Sequence, residues 1–322
     1  MTRADREKRG IDVLTFTLAE VKSSTYKARD AWWTVFLVDP LAGRLVVQVA
    51  NRTSITPNQI TWGAFLLGIG SAGCYLMAEW AWLAAGALLY HLSFVLDCMD
   101  GKIARLKGTG TILGGWLDYI FDRIRVFLCT LALMWGQYQA TGQGLFLILG
   151  LTVVFLDMLR YVDALQVAKV RRQMRSRLRK AMAESALADL SAPQFSGATE
   201  TKSRTSRPAP DLPAQTPTHV DETADLQREF RNRFTRYMHL RDWLRRHRIR
   251  THLVSGIEFQ MAVFIIGPLT HHIAPVTIGT AALLLVFEGA ITYKLWLSTR
   301  DLARALGQIT PGPVGQTVAP QP

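Results

Sequence analysis

With 322 residues, 49% of them hydrophobic, and a formal net charge of +12, the chain has the bulk composition of a basic soluble protein. The distribution of its apolar residues excludes that reading, because they are gathered into runs long enough to cross about 30 Å of hydrocarbon at about 1.5 Å per residue. Cys74, Cys98 and Cys129 lie in or beside these runs, an odd count with no metal-ligand spacing, and are expected to be small packing residues.

The first nine residues are charged and lead into no clean apolar stretch before a cleavage site, so no signal peptide is expected. Residues 1–55 are read as a cytoplasmic N-terminal segment. Within it, residues 30–50 mix apolar side chains with Trp32, Trp33 and Arg44 and are interrupted by Pro40. This predicts an amphipathic juxtamembrane helix lying in the interface, where tryptophan is favoured, or a buried helix packed on the spans.

Six apolar runs follow, at about 56–77, 80–96, 112–135, 145–167, 253–269 and 276–297. The expected fold is all-α, a polytopic membrane protein with six transmembrane helices. Thr56 is a plausible N-cap for the first, with Pro57 in the first turn and Asn58 as a capping or turn residue. The second run is short, and its end leads into a cluster of acids.

That cluster reads Asp97-x2-Asp100-Gly101-x2-Ala104-Arg105-x8-Gly114-x3-Asp118-x3-Asp122. Residues three, four and seven apart share a helix face, which aligns Asp97, Asp100 and Ala104, with Arg105 one step round. Asp118 and Asp122 form a second acidic stripe on the next helix. If the two helices are antiparallel neighbours joined through residues 107–111, the four carboxylates converge near one membrane surface. The third run carries Asp118, Asp122, Arg123 and Arg125 in its first half, which suits a segment lining a polar cavity and not one facing lipid. His91, alone on an apolar stretch, reads as a packing residue.

After the fourth run, residues 168–250 hold 19 Lys and Arg against 9 Asp and Glu. The ends of this insert are helix-like and basic, and its middle, about 191–218, is a Ser, Thr, Pro and Ala-rich linker. Anionic lipid headgroups are the expected partner, and nucleic acid is not, because no stacking aromatics are interleaved. Residues 251–298 carry runs five and six, and 299–322 is expected to be a disordered cytoplasmic tail. The presumed turns near 78–79, 137–143 and 271–274 lack Lys and Arg, whereas the opposite side is rich in them. The positive-inside rule then places both termini and the acidic cluster on the cytoplasmic side of the cell membrane.

The acidic pattern resembles the signature of the CDP-alcohol phosphotransferase family, class I, whose members are integral-membrane enzymes that move a substituted phosphate from a CDP-linked donor to an alcohol and release CMP. The resemblance covers about 27–167 and 253–297 and is specific across 97–122. It implies a phosphatidyl transfer in phospholipid synthesis, with CDP-diacylglycerol the usual donor and an inositol phosphate or another polar alcohol as acceptor. Four crowded acids need a counter-charge, and two Mg²⁺ or Mn²⁺ ions held by Asp97, Asp100, Asp118 and Asp122 would supply it and clamp the donor's pyrophosphate. Gly101, Ala104 and Arg105 are then expected at the CDP moiety, and the Pro57-Asn58 pair places Asn58 there too. The family's last aspartate implies Asp122 as general base, although Asp118 and Asp122 are interchangeable on the sequence alone.

The acceptor side is less defined. Arg123, directly after the motif, suits an anionic headgroup phosphate or an ion pair with Asp118 or another acid. Arg160 and Asp157, three apart, suit either substrate or each other, and Glu258, with Ser255 and His252, lies at the right depth. A homodimer through the spans is expected of the family, and small residues such as Gly63, Gly68, Gly70 and Gly73 permit it. Two other readings remain: transfer from a soluble CDP-alcohol to diacylglycerol, and a non-enzymatic divalent-cation transporter.

Overall fold

A computed structural model describes residues 16–191, 243–244, 246–250 and 254–309. The N-terminal charged segment, the linker within the insert, His252 and the tail beyond 309 lie outside the described residues. Among those described the chain is helical, apart from a parallel bridge between Asp30 and Ile249.

The helices are α1 (Leu18–Thr25), α2 (Asp39–Arg52), α3 (Pro57–Leu76), α4 (Trp80–Lys107), α5 (Ile112–Thr141), α6 (Leu145–Ser191), α7 (Gly256–Met261), α8 (Gly267–Thr270) and α9 (Ile273–Ile309). Their ends follow local chemistry. Thr56 and Gln59 close a reciprocal capping box over the start of α3, with Pro57 at its first position, where its missing N–H costs nothing. Helix α4 stops at Gly108, whose φ of +66° only glycine adopts without strain. Three residues later the Thr111 hydroxyl accepts the Gly114 N–H at 2.9 Å and opens α5.

Two expectations for the N-terminal segment change. Pro40 does not interrupt a helix there: it falls in the first turn of α2, directly after a π-helical stretch, Thr34–Val38, which absorbs the irregularity. The chain also forms α1, closed by a Thr17–Glu20 capping box, which sequence reading did not anticipate.

Helices α4, α6 (over Leu145–Ser185) and α9 (over Ile273–Gly307) are long and apolar enough to cross a membrane. The other predicted spans form helices but fall outside that class for separate reasons. Helix α5 carries its motif charges, α3 is diluted by polar and glycine residues, and the Gly256–Thr270 stretch is short and passes through a π-helical segment, Ala262–Ile266.

The chain divides into two units, Met1–Leu165 with Trp243–Thr292, and Gln166–Asp242 with Tyr293–Pro322. In the second, the described residues are the basic end of α6, where Arg172, Arg175, Ser176 and Arg179 line one concave patch, and the end of α9. The first unit holds the motif and the core. There α4 packs against α3, α2 and the Gly256–Thr270 stretch, while α5 packs along α3. The two motif helices are therefore not the close-packed neighbours expected. Each leans on α3, which leaves room between their motif-bearing ends.

Hydroxyls stitch these helices to neighbouring carbonyls: Ser71 to Gly86 O at 2.7 Å, Ser93 to Ala64 O at 2.6 Å, and Tyr75 to Phe264 O at 2.5 Å. Such bonds matter where no water competes. Around them Tyr90, Phe94, Leu133, Phe259 and Phe264 fill one buried cluster, and Cys129 packs in it as a buried free thiol. His91 packs edge-on to Trp33 at 6.2 Å between ring centroids. Gly136 permits the closest approach of α5 to α3, since a methyl there would lie 2.5 Å from Tyr75 O and 3.0 Å from Leu76 O. Gly136→Ala is expected to cost about 1–3 kcal/mol through overpacking, read as a lower unfolding midpoint in detergent, while Gly73→Ala, with open space around it, leaves the midpoint unchanged.

Candidate active site

The motif-bearing ends of α4 and α5 face a cavity of about 390 Å³. Asp97, Asp100, Asp118 and Asp122 all line it, together with Gly101 and Arg105. The spacing therefore does what the helical periodicity predicts: four acids from two helices reach one space. Arg123 and Arg160 line it as well, and so do Asp157, Tyr161 and Gln260.

Each acid has a distinct setting. Asp100 is buried and accepts the Thr61 hydroxyl of α3 at 2.5 Å. Asp97 lies 3.4 Å from Arg125, and Asp122 pairs with both Arg123 and Arg125. Arg125 is 2% exposed and also donates to Ser93 Oγ at 3.0 Å, so one guanidinium ties α4 to α5 from beneath the cavity. Gly68 makes this possible, because a methyl there would sit 2.7 Å from two carbons of the Arg125 stem. A buried arginine between two carboxylates is strongly held, since removing it leaves both charges uncompensated.

Arg160 and Asp157 do not form the mutual ion pair that their spacing suggests, although both line the cavity. Asp157 pairs with Arg123 and accepts from Gln260 Nε2 at 2.7 Å, while Arg160 pairs with Glu288 at 3.2 Å and stands over the Phe287 ring. Proximity on one helix face was the wrong guide, because partners on α5 and α9 reach the same groups. Arg123 keeps one flank on the Tyr161 ring, 5.4 Å from its centroid.

Three predicted residues do not line the cavity. Glu258 turns back on its own helix, where it accepts from the Ser255 N–H and hydroxyl as a capping box. Ala104 lies beside Gly110 of the connection. Asn58 stands against the start of α5, where a methyl on Gly114 would meet its Oδ1 at 2.8 Å. Gly114 thus serves the fit of Asn58 between α3 and α5. Gly114→Ala is expected to shift that contact and cost about 1–3 kcal/mol; the double variant with Asn58→Ala should recover part of the unfolding midpoint lost by the single one, because the Thr111 hydroxyl, 2.9 Å from the added methyl, still crowds it.

Sequence reading missed the lining contributed from the N-terminal segment and from residues after the insert. Thr25, Tyr26, Lys27, Asp30 and Asp39 line the cavity, as does Arg250. Asp39 forms a buried ion pair at 3.1 Å with Lys102, which stands two residues past Asp100. Arg248 reaches the same Asp39 at 3.3 Å and donates to Lys27 O at 2.8 Å. Next to it, the Asp30 N–H donates to Arg248 O and the Arg250 N–H to Asp30 O. The end of the basic insert is clamped onto the N-terminal segment. Burial, then the Asp39 carboxylate, pushes the Tyr26 hydroxyl above its ordinary range, so it remains a donor, to Asp39 O at 2.8 Å. The repeated Asp–Arg partners carried no sequence signal, because they are separated by about two hundred residues.

The donor set suits a hard divalent cation, being all carboxylate oxygen around one cavity. In the arrangement described, no three His, Cys, Asp or Glu side chains among the described residues are gathered at ligating distance. Asp122 is turned to its arginines, and holding a cation requires it to exchange one of them.

Residues 54–196 match the family model for CDP-alcohol phosphatidyltransferase, a stretch that contains both motif helices. This stretch is similar to the CDP-alcohol phosphatidyltransferase domain. Curated relatives match shorter stretches. A bifunctional IPC transferase and DIPP synthase of Thermococcus kodakarensis is 45% identical over 69 residues, 21% of this chain and 15% of that protein. Archaetidylinositol phosphate synthase of Methanothermobacter thermautotrophicus is 27% identical over 33% of this chain and 53% of its own length. Phosphatidylinositol phosphate synthase of Corynebacterium glutamicum is 34% identical over 27% and 37%. The chain spans about half of these relatives' length or less. The segments 16–53 and 243–309 lie outside the phosphatidyltransferase match, yet they supply Lys27, Asp39, Arg250 and Gln260 to the cavity wall.

Proposed function

We propose that the protein transfers a phosphatidyl group from CDP-diacylglycerol to the hydroxyl of a polar, phosphate-bearing alcohol, with an inositol phosphate the leading acceptor. The observation that carries this reading is the convergence of Asp97, Asp100, Asp118 and Asp122 on one cavity that also holds Arg105, Arg123, Arg160, Lys27 and Arg250. Acids to receive a proton and hold metal, beside cations to hold phosphates, are what the displacement needs. The printed names of two relatives, an archaetidylinositol phosphate synthase and a phosphatidylinositol phosphate synthase, favour the inositol phosphate acceptor.

In this reaction the acceptor oxygen forms a bond to the donor phosphorus that bears the diacylglycerol. The bond from that phosphorus to the CMP oxygen breaks, CMP leaves with the electron pair, and the acceptor proton passes to Asp122. Mg²⁺ or Mn²⁺ bound by the motif aspartates supplies positive charge to the donor's pyrophosphate. Arg105, folded over Gly101 with its guanidinium near the helix backbone, is positioned for the CDP phosphates. Arg123 and Arg160 orient the acceptor's phosphate, and each must loosen a carboxylate partner to do so.

The reading includes six membrane-spanning helices, with α3, α5 and the Gly256–Thr270 stretch spanning beside the three more apolar ones, and α2 lying in the interface. It places the cavity on the cytoplasmic side, the basic end of α6 against anionic headgroups, and two copies in a dimer. The test is product analysis. Purified protein with CDP-diacylglycerol, Mg²⁺ and, separately, inositol phosphate, glycerol phosphate and serine should give one new phospholipid with inositol phosphate. A product with serine alone contradicts the phosphate-bearing acceptor.

A further inference from the structure

A second cavity, of about 480 Å³, opens on the other side of the N-terminal segment. It is lined by Leu18 and Lys22 of α1, by Tyr26 and Lys27 after it, by Val35, Asp39, Pro40 and Arg44 around α2, and by Arg248. Lys22, Lys27 and Arg44 are exposed, and among the described residues none of the three forms an ion pair. Arg248 is already committed to Asp39 and to Lys27 O. Three cations without an ion pair among the described residues therefore line one concavity whose single acid is taken, Lys27 lying on the wall it shares with the catalytic cavity.

Cations on a solvated surface usually splay apart, since like charges repel. Here the fold holds them around one hollow by the capping box that fixes α1, by the Tyr26 bond to Asp39 O, and by Gly43, where a side chain would collide with the Tyr26 hydroxyl. The edge of the hollow is apolar and exposed: Leu18 lines it, and Phe36, Leu37 and Leu41 are exposed on the adjoining turns. Charge above an apolar fringe is the profile of a phospholipid headgroup with its chains attached.

We propose that this cavity binds a phosphate-bearing anion, distinct from the substrates of the catalytic cavity, with an anionic phospholipid headgroup the source that the apolar fringe favours. Its cations Lys22, Lys27 and Arg44 all lie outside the stretch matched by the phosphatidyltransferase family. Tyr26, Lys27 and Asp39 line both cavities, so an occupant of the second touches part of the first one's wall.

The test measures binding, so it stands apart from the catalytic reading. The full-length protein is taken from nanodiscs of phosphatidylcholine with dioleoylphosphatidate, and lipid retention is counted by native mass spectrometry, with and without inorganic phosphate. The wild type is compared with Lys22→Glu/Arg44→Glu and with the milder Lys22→Gln/Arg44→Gln. Both substitutions lie at exposed positions, and the neutral pair serves if the acidic pair misfolds. Retained phosphatidate that the variants lose, with affinity weakened about tenfold or more, supports the site. Displacement of that lipid by inorganic phosphate would name a soluble phosphate as the ligand of the same site. Equal retention by wild type and both variants overturns the proposal.

Discussion

Asp122→Asn should lower CMP release by about 10²–10⁴-fold, the range for loss of a positioned general base. The carboxylate lines the cavity and is fixed by Arg123 and Arg125 before substrate arrives. Proton transfer requires the acceptor hydroxyl to approach a carboxylate oxygen that Arg123 or Arg125 now holds. Asp118 has no ion pair among the described residues, which makes Asp118→Asn the necessary comparison. Loss of a ligand alone is partly restored by raising Mg²⁺ or Mn²⁺, because binding follows mass action. Loss of the base is not. Turnover of Asp118→Asn that recovers with metal, while Asp122→Asn stays inactive at every concentration, assigns the proton to Asp122. The reverse pattern assigns it to Asp118.

Arg125→Met is expected to be the most destabilising single change in the first unit. Arg125 bridges Asp97 and Asp122, donates to Ser93, and stands 5.8 Å from the centre of the Tyr90 ring. Breaking a buried pair by removing one partner costs about 3–5 kcal/mol, and here two carboxylates lose their partner. The expected observation is a large fall in the unfolding midpoint in detergent together with loss of activity. Arg125→Lys keeps the charge without the planar fork and should retain much of the stability but little of the geometry that ties α4 to α5. A Met variant as stable as wild type would mean that the two acids are neutral in the folded protein, and that the bridge is not what holds them.

The helix ends and the convergence of the four motif acids were legible in the sequence because both follow local rules. The Thr56 cap, the stop at Gly108, the restart after Thr111 and the stacking of four acids on two helix faces depend on residues within a few turns of one another. What lay beyond reach was set by partners distant in the chain. Asp157 faced Arg160 one turn away, yet it pairs with Arg123, because α5 brings a guanidinium closer than its own helix does. Glu258, at the right depth for substrate, is consumed by capping with Ser255. Lys102 reads as one more cytoplasmic cation beside the motif, but burial at 5% exposure against Asp39 makes it the strut that carries the N-terminal segment over the site. Pro40 was read as an interruption, and a proline in the first turn of a helix is not one.

The span count illustrates the same limit. Polarity along α5 reflects the cavity it lines, which lowers its hydropathy, whereas α6 and α9 are long and apolar enough to cross a membrane and remain helical well beyond their apolar stretches. Composition reports the solvent of a helix averaged over its faces. A helix with one face on a charged cavity and another on lipid reads as neither.

The central claim is that the four motif aspartates drive transfer from a CDP-linked lipid. It is tested most directly by measuring CMP released from CDP-diacylglycerol by the full-length protein in nanodiscs, with inositol phosphate, in Mg²⁺ and after chelation with EDTA. Release that needs protein, acceptor and metal together, and that Asp122→Asn abolishes, is the predicted result. No CMP from CDP-diacylglycerol with any acceptor, or release that persists unchanged in EDTA and in the Asn variant, would contradict it.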